Sequence, residues 1–221
     1  ATSLAGRSGL RAGGRLRPVV MTDQPTLFLV VLGGRTATCH VELHDVRWMV
    51  GSCIEDTIPA LKREWFGLQK GLHVDSYKAI THVDGFAVRP LPAAPMPEKL
   101  LTSANTQPVD RLWFVNLGGY QRESLQEQHQ FGLVVARSQQ AAKARAKARW
   151  LKESLQVHKD DLHGIESIGD VDDCLPIDGI GGWRISLQSV PNPPETDLKP
   201  DWFGYWRIDG RLPKPRPDAV I

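Results

Sequence analysis

Two apolar runs stand out along the chain, at 27–32 and 112–117, and each ends on paired glycines, Gly33-Gly34 and Gly118-Gly119. An apolar run of six residues closed by a turn signal reads as a buried strand. A polar loop follows each run, then a second strand-like segment at 46–51 and at 131–136. Helical patterns come next, at 56–66 and 139–155. The second is built from Ala, Lys, Arg and Gln, whose helix propensity is high. The first contains Pro59; with Asp56 as N-cap, the proline falls in the first turn, where its missing N–H costs nothing. Residues 79–88 then alternate across an Asp84-Gly85 hairpin signal. The later segments 165–168 and 171–177 are the corresponding candidates downstream.

The likeness between the halves is a repeat. Shifted by 85 residues, 27–80 lies over 112–165 without a gap, with 13 identities in 54 positions. Glu42 and His44 fall on Glu127 and His129, Lys62 on Lys147, Trp65 on Trp150, and His73 and Asp75 on His158 and Asp160. Two copies are too few for a solenoid, so a single pseudo-twofold body is expected. The expected class is α+β: a tandem duplication of a β-β-α-β(-β) unit, giving a mainly antiparallel sheet with both helices on one face. Trp65 and Trp150 are expected to anchor the helices. The organisation reads as a flexible basic leader (1–26), a first copy (27–90), a Pro-rich linker (91–111), a second copy (112–178) and a Pro/Trp-rich tail (179–221). The tail aromatics, including Trp202, Phe203, Tyr205 and Trp206, read as an arm that adds a strand or plugs the body, or as a stacking platform.

The first copy carries Leu32-Gly33-Gly34-Arg35, Glu42-Leu43-His44-Asp45-Val46, Trp65-Phe66-Gly67, His73-Val74-Asp75-Ser76-Tyr77 and Val83-Asp84-Gly85. These residues resemble the bacterial domain-of-unknown-function family numbered fifteen forty-three, whose members hold one or two such units. The second copy keeps the glycine pair, Glu127, His129, Trp150, His158 and Asp160. It replaces the aspartate after the histidine by Gln130, and the Phe-Gly after the tryptophan by Leu151-Lys152. The resemblance covers 27–178 and implies a compact bacterial cytoplasmic protein, with no activity attached.

Charge changes the picture at one end only. The formal net charge is +2, but residues 1–20 hold four arginines and no acid, and the remainder has 23 basic against 25 acidic residues. The leader reads as an upstream translated segment, a flexible basic arm or an organelle presequence. Three cysteines without a C-x-x-C pair suggest reduced thiols. No apolar run is long enough to span a bilayer.

The chemistry-bearing set is Glu42-x-His44 with His73-x-Asp75, repeated as Glu127-x-His129 with His158-x-Asp160. In an extended chain, residues two apart share a face. Each pair can therefore present an imidazole beside a carboxylate, and two pairs that meet would suit Zn²⁺ or a similar ion. His40 extends the row in the first copy. The competing account is a hydrogen-bonded structural fastening. The glycine pairs lack the remaining residues of a P-loop or dinucleotide fingerprint; they are expected to serve as tight turns with positive φ. Lys143, Arg145, Lys147, Arg149 and Lys152 form rows on the second helix, a possible phosphate-contacting face or simply a solvated one.

Three functional classes follow. The first is a non-enzymatic binding or interaction protein with a protein or small-molecule partner. The second is a metal-dependent or acid–base enzyme using the His/carboxylate sets. The third is a nucleic-acid binder using the basic helix. No cofactor is expected other than a divalent metal, and no membrane partner.

Overall fold

A computed structural model describes residues 24–93, 109–120, 123–150, 156–157, 174–192, 194 and 198–210. The first copy runs β1 (Thr26–Gly34), β2 (Leu43–Gly51), a 3-10 turn (Ile54–Thr57), α1 (Ile58–Glu64), β3 (His73–Ile80), β4 (His82–Val83) and β5 (Phe86–Pro92). The second runs β6 (Arg111–Tyr120), β7 (Gln128–Ala136), α2 (Gln139–Arg149), β8 (Gln156–Val157), β9 (Cys174–Pro176), β10 (Gly179–Ile180) and β11 (Trp183–Ser189). A last strand, β12 (Trp202–Arg207), follows.

Among the described residues the strands form three antiparallel sheets. The first has the order β12-β3-β1-β2, the second β7-β6-β8 with β9 also on β6, and the third β10-β11-β5-β4. The class is α+β, mostly antiparallel, and the layering differs from the single sheet expected. Alternation along β1 sends Phe28, Val30 and Leu32 to one face, where they bury Ile58 and Leu61 of α1 together with Trp65. Leu27 and Leu29 face the other way and meet Leu112, Phe114, Leu133 and Val135 of the second copy. On the far side of β6, Trp113, Val115 and Leu117 cover Ala142 and Ala146 of α2. The two helices therefore lie on opposite outer faces of two stacked sheets and not on one face. The physical reason is visible in the runs themselves: both strands are apolar at odd and even positions, so both faces of each sheet need cover.

The helix ends follow local chemistry. Asp56 accepts from the backbone N–H of Ser52 at 3.0 Å and of Cys53 at 3.2 Å, so it closes the entry from within the 3-10 turn and is not the N-cap. Pro59 sits at the start of α1. Ser138 caps α2, accepting from Ala141 N–H at 3.2 Å. α1 buries Ile58 and Leu61 completely, worth roughly 1.5–3 kcal/mol each. α2 buries only alanines and relies more on its intrinsic propensity.

The third sheet takes one hairpin from each copy. Its two turns match: Asp84 (φ 51°) and Gly85 (φ 88°) in the first, Gly181 (φ 53°) and Gly182 (φ 87°) in the second. Two successive positive φ values are the mark of the type I′ turn that suits strand twist. β5 pairs with β11 at its centre, while β4 packs on β7 and β10 on β2. The structural correspondence thus runs to Ser189, past the boundary at 178. The third strand of the repeat also differs. Val30 pairs with Tyr77, which predicts position 162 opposite Val115, yet Val115 pairs with Cys174, 12 residues further on. The segment 165–168 lies outside the described residues.

β12 adds to β3, with Trp202 opposite Tyr77 and Trp206 opposite Val74. Both tryptophans pack on the core that α1 covers, so the tail does add a strand. Phe203 and Tyr205 stay exposed.

Candidate functional site

Register brings the first-copy residues together. Gly33 on β1 is opposite His44 on β2 and His73 on β3, and His73 is opposite Arg207 on β12. One row thus reads His44, Gly33, His73, Arg207. The glycine leaves a gap between two imidazoles. A Cβ on Gly33 would run into His73 Nε2 and Cε1 and come 3.0 Å from Asp75 Oδ2. Asp75 reaches that gap because the β1–β3 register shifts there: Leu32 pairs with Val74, and Val31 with Ser76. Asp75 is the extra residue of a bulge, which re-aims its side chain. β12 carries its own irregularity opposite, between Phe203 and Trp206.

The expected turn at Gly33-Gly34 is therefore replaced by strand. Neither glycine has positive φ. Their value is space: Gly33 admits His73, and Gly34 admits the Trp65 indole, which lies 2.7 Å from where a Cβ would stand.

Four groups converge above Gly33. Asp75 Oδ2 is 3.1 Å from His44 Nε2, and Asp75 Oδ1 is 3.1 Å from His73 Nε2. Glu42 Oε1 is 3.5 Å from His73 Nε2. His73 Nδ1 lies 2.8 Å from the Gly71 carbonyl oxygen. His73 is 1% exposed, while the side chains of Glu42 and His44 are 40% and 55% exposed. The Tyr205 ring leans on the His73 ring, centroids 4.1 Å apart. His40 is exposed in the loop before β2 and does not extend this row. Among the described residues no group of three or more His, Cys, Asp or Glu is already arranged to hold a metal ion.

Neighbouring contacts lock the setting. Asp209 accepts from Gly71 N–H at 2.7 Å and from Arg207. The Arg207 hydrogen bond, helped by that of Gly71, lowers Asp209 to about 2. Asp201 binds Lys78 Nζ and Ala79 N–H, each at 2.8 Å, and so ties the tail to β3. Burial, with Glu55 and Asp201 nearby, raises Tyr77 to about 12.

A family model described as Domain of Unknown Function (DUF1543) matches residues 39–90 and 124–175. The crystal structure of a protein Il1583 from Idiomarina loihiensis is 33% identical, with a TM-score of 0.59, over 86% of this chain and 99% of that one. The chain belongs to the DUF1543 family. No match was found among curated proteins. In each copy the DUF1543 match takes in the Glu-x-His and His-x-Asp pairs and omits the first strand of the unit, where Gly33 lies. Gly33, Gly71 and Tyr205 are the parts of the site that sequence reasoning missed. Only the register of β1 against β2 and β3 reveals Gly33. Tyr205 was visible only as one aromatic among several in the tail.

The second DUF1543 copy is reduced among the described residues. His129 Nε2 is 3.6 Å from Glu127 Oε2, and Asn116 Nδ2 is 3.4 Å from His129 Nδ1. Glu127 folds over Gly118 as His73 does over Gly33. His158 and Asp160 lie outside the described residues. His129 also faces a cleft of about 370 Å³ between the copies, lined by Leu29, Val31, Ser76, Phe131 and Leu198 among others.

The basic helix face is partly occupied. Arg145 Nη1 and Arg149 Nη1 bind Asp84 Oδ2 and Oδ1 at 3.0 and 2.7 Å. Asp84, at the hairpin tip of the first copy, also accepts from Val135 N–H at 2.8 Å. Lys147 is exposed and Lys143 half-buried; Lys152 lies outside the described residues. No helix among the described residues is long and apolar enough to cross a membrane.

Proposed function

We propose that this DUF1543 protein is a non-enzymatic binding protein whose ligand site is the His44, Asp75, His73 and Glu42 cluster at the rim of the cleft between the copies. The carrying observation is that these four groups gather over Gly33, with N···O separations of 3.1 to 3.5 Å, while no hydroxyl or thiol among the described residues hydrogen-bonds to His44 or His73. A histidine set for nucleophilic catalysis holds such a group within hydrogen-bond reach. The cluster adjoins the cleft directly: Val31 and Gly33 share one face of β1, and Ser76 follows Asp75. A concave, largely apolar surface with a few converging polar groups is the usual form of a ligand site.

A second reading, acid–base catalysis, draws on Asp75 lying between two imidazoles, where it could orient the exposed His44 for proton transfer. A thermal-shift panel of divalent cations, small amines and small carboxylates, run on the full chain and on His44→Ala, tests the first reading. At least one probe should stabilise the protein, and His44→Ala should abolish that effect. Turnover in a hydrolase screen that disappears in His44→Ala, without any stabilising probe, would replace binding by catalysis.

A further inference from the structure

We infer that the cluster over Gly33 is a divalent-metal site of the zinc type, with His73, Asp75, Glu42 and His44 as ligands; this rests on the binding reading and names its ligand. A neutral imidazole has one N–H. His73 Nδ1 is 2.8 Å from the Gly71 carbonyl, an acceptor, so that proton is assigned to Nδ1. Nε2 then carries a lone pair. It faces Asp75 Oδ1 at 3.1 Å and Glu42 Oε1 at 3.5 Å, two further lone-pair atoms. Three such atoms, one of them on a buried ring, repel unless positive charge lies among them.

A metal ion meets that need on four counts. Donors bonded to a tetrahedral Zn²⁺ stand about 3.3 Å from one another; His73 Nε2 is 3.1 Å from Asp75 Oδ1 and 3.5 Å from Glu42 Oε1, while His44 Nε2 meets the other Asp75 oxygen at 3.1 Å. Two imidazoles with two carboxylates favour a borderline ion over Mg²⁺ or Ca²⁺, which take all-oxygen shells. The Gly71 carbonyl gives His73 the outer hydrogen bond that metal-bound histidines commonly have. Gly33 is what lets His73 Nε2 and Asp75 Oδ2 come together there, since a Cβ at that position would displace both. His73 is the fixed ligand, held by the strand pairing and by Tyr205, with Asp75 beside it on the bulge. Glu42 and His44 are half-exposed and can turn. Because no three donors yet surround one point, loading draws these two inward.

The test is elemental mass spectrometry on the untagged full chain after exposure to Zn²⁺ and dialysis, with Co²⁺ loading followed by visible absorption. Glu42→Gln and His44→Ala are the variants, at a half-exposed and an exposed position. About one Zn²⁺ per chain is expected, with a tetrahedral Co²⁺ spectrum and affinity reduced about tenfold or more in each variant, while the metal-free chains unfold at an unchanged midpoint. Equal metal retention in both variants would overturn the inference by placing the ion elsewhere. It also falls if no Zn²⁺, Mn²⁺ or Fe²⁺ is retained; nitrogen-15 NMR that finds both His73 ring nitrogens protonated would then name a proton as the charge between the carboxylates. In that event, a thermal-shift hit lost in His44→Ala would leave the binding reading standing without the metal.

Discussion

Asp84 in the first copy binds Arg149 in the second at 2.7 Å, and the carboxylate that does so is only 3% exposed. One side chain at a hairpin tip therefore joins β7 and α2 of the other copy, since it also holds Val135 N–H and Arg145. Breaking a buried pair from one side leaves the remaining charge uncompensated. Asp84→Asn keeps the turn's tolerance of positive φ but removes the charge. It is expected to cost about 2 kcal/mol, with part of the penalty relieved by the solvent access of both arginines. Urea unfolding measures this. No change in midpoint would mean that the two arginines find equal partners in water.

Gly33 and Gly118 occupy matched positions but have unlike neighbours. Gly33→Ala drives a methyl into the buried, strand-held His73 ring, whereas Gly118→Ala meets the movable end of Glu127. The first should destabilise the fold by roughly 1–3 kcal/mol. The second should cost under about 1 kcal/mol. Equal losses in paired denaturation curves would contradict the account of Gly33 as the floor of the site.

Alkaline titration isolates Tyr77. Its folded value is raised to about 12 from 10.0, chiefly by burial. The associated stability is complete below pH 10 and lost as the pH rises through about 12. Tyrosinate absorbance should show a late component near pH 12 that vanishes in Tyr77→Phe. A titration without that component would show that water reaches the ring.

Acid titration isolates Asp209. Its value is lowered to about 2 from 3.8 by Arg207 and Gly71 N–H. Its contribution is therefore present above about pH 4 and lost as the pH falls through about 2. Carboxyl NMR should place its midpoint near 2, and Arg207→Gln should raise it. A midpoint near 4 in the unaltered chain would mean that neither the Arg207 nor the Gly71 contact is formed.

What the sequence disclosed depended on the kind of interaction. The repeat, the strand at 27–32, the helix beginning at 139 and the Glu42-x-His44 and His73-x-Asp75 motifs rest on local period and spacing, which a single chain displays; that the two motifs meet is a matter of register, which it does not. The stacking of two sheets did not emerge, because apolar residues at both odd and even positions of β1 say that both faces are covered but not by what. The Asp84 clamp was hidden for a related reason: Arg145 and Arg149 look solvated until the hairpin of the other copy is placed beside them. The glycine pairs were misjudged because a missing Cβ signals positive φ and close approach alike. Register alone separates the two.

The sheet formed from β4, β5, β11 and β10 bears on how such a protein can come apart in evolution. A single copy supplies only half of that sheet and would leave its β5-like strand with an unpaired edge, which invites another chain. A relative with one copy would therefore meet the same need as a symmetric homodimer exchanging hairpins across its axis, and sedimentation of such a relative would show it. Fusion of two genes would then turn a concentration-dependent assembly into an intramolecular one. It would also free each half to diverge, as the different partners of Gly33 and Gly118 record.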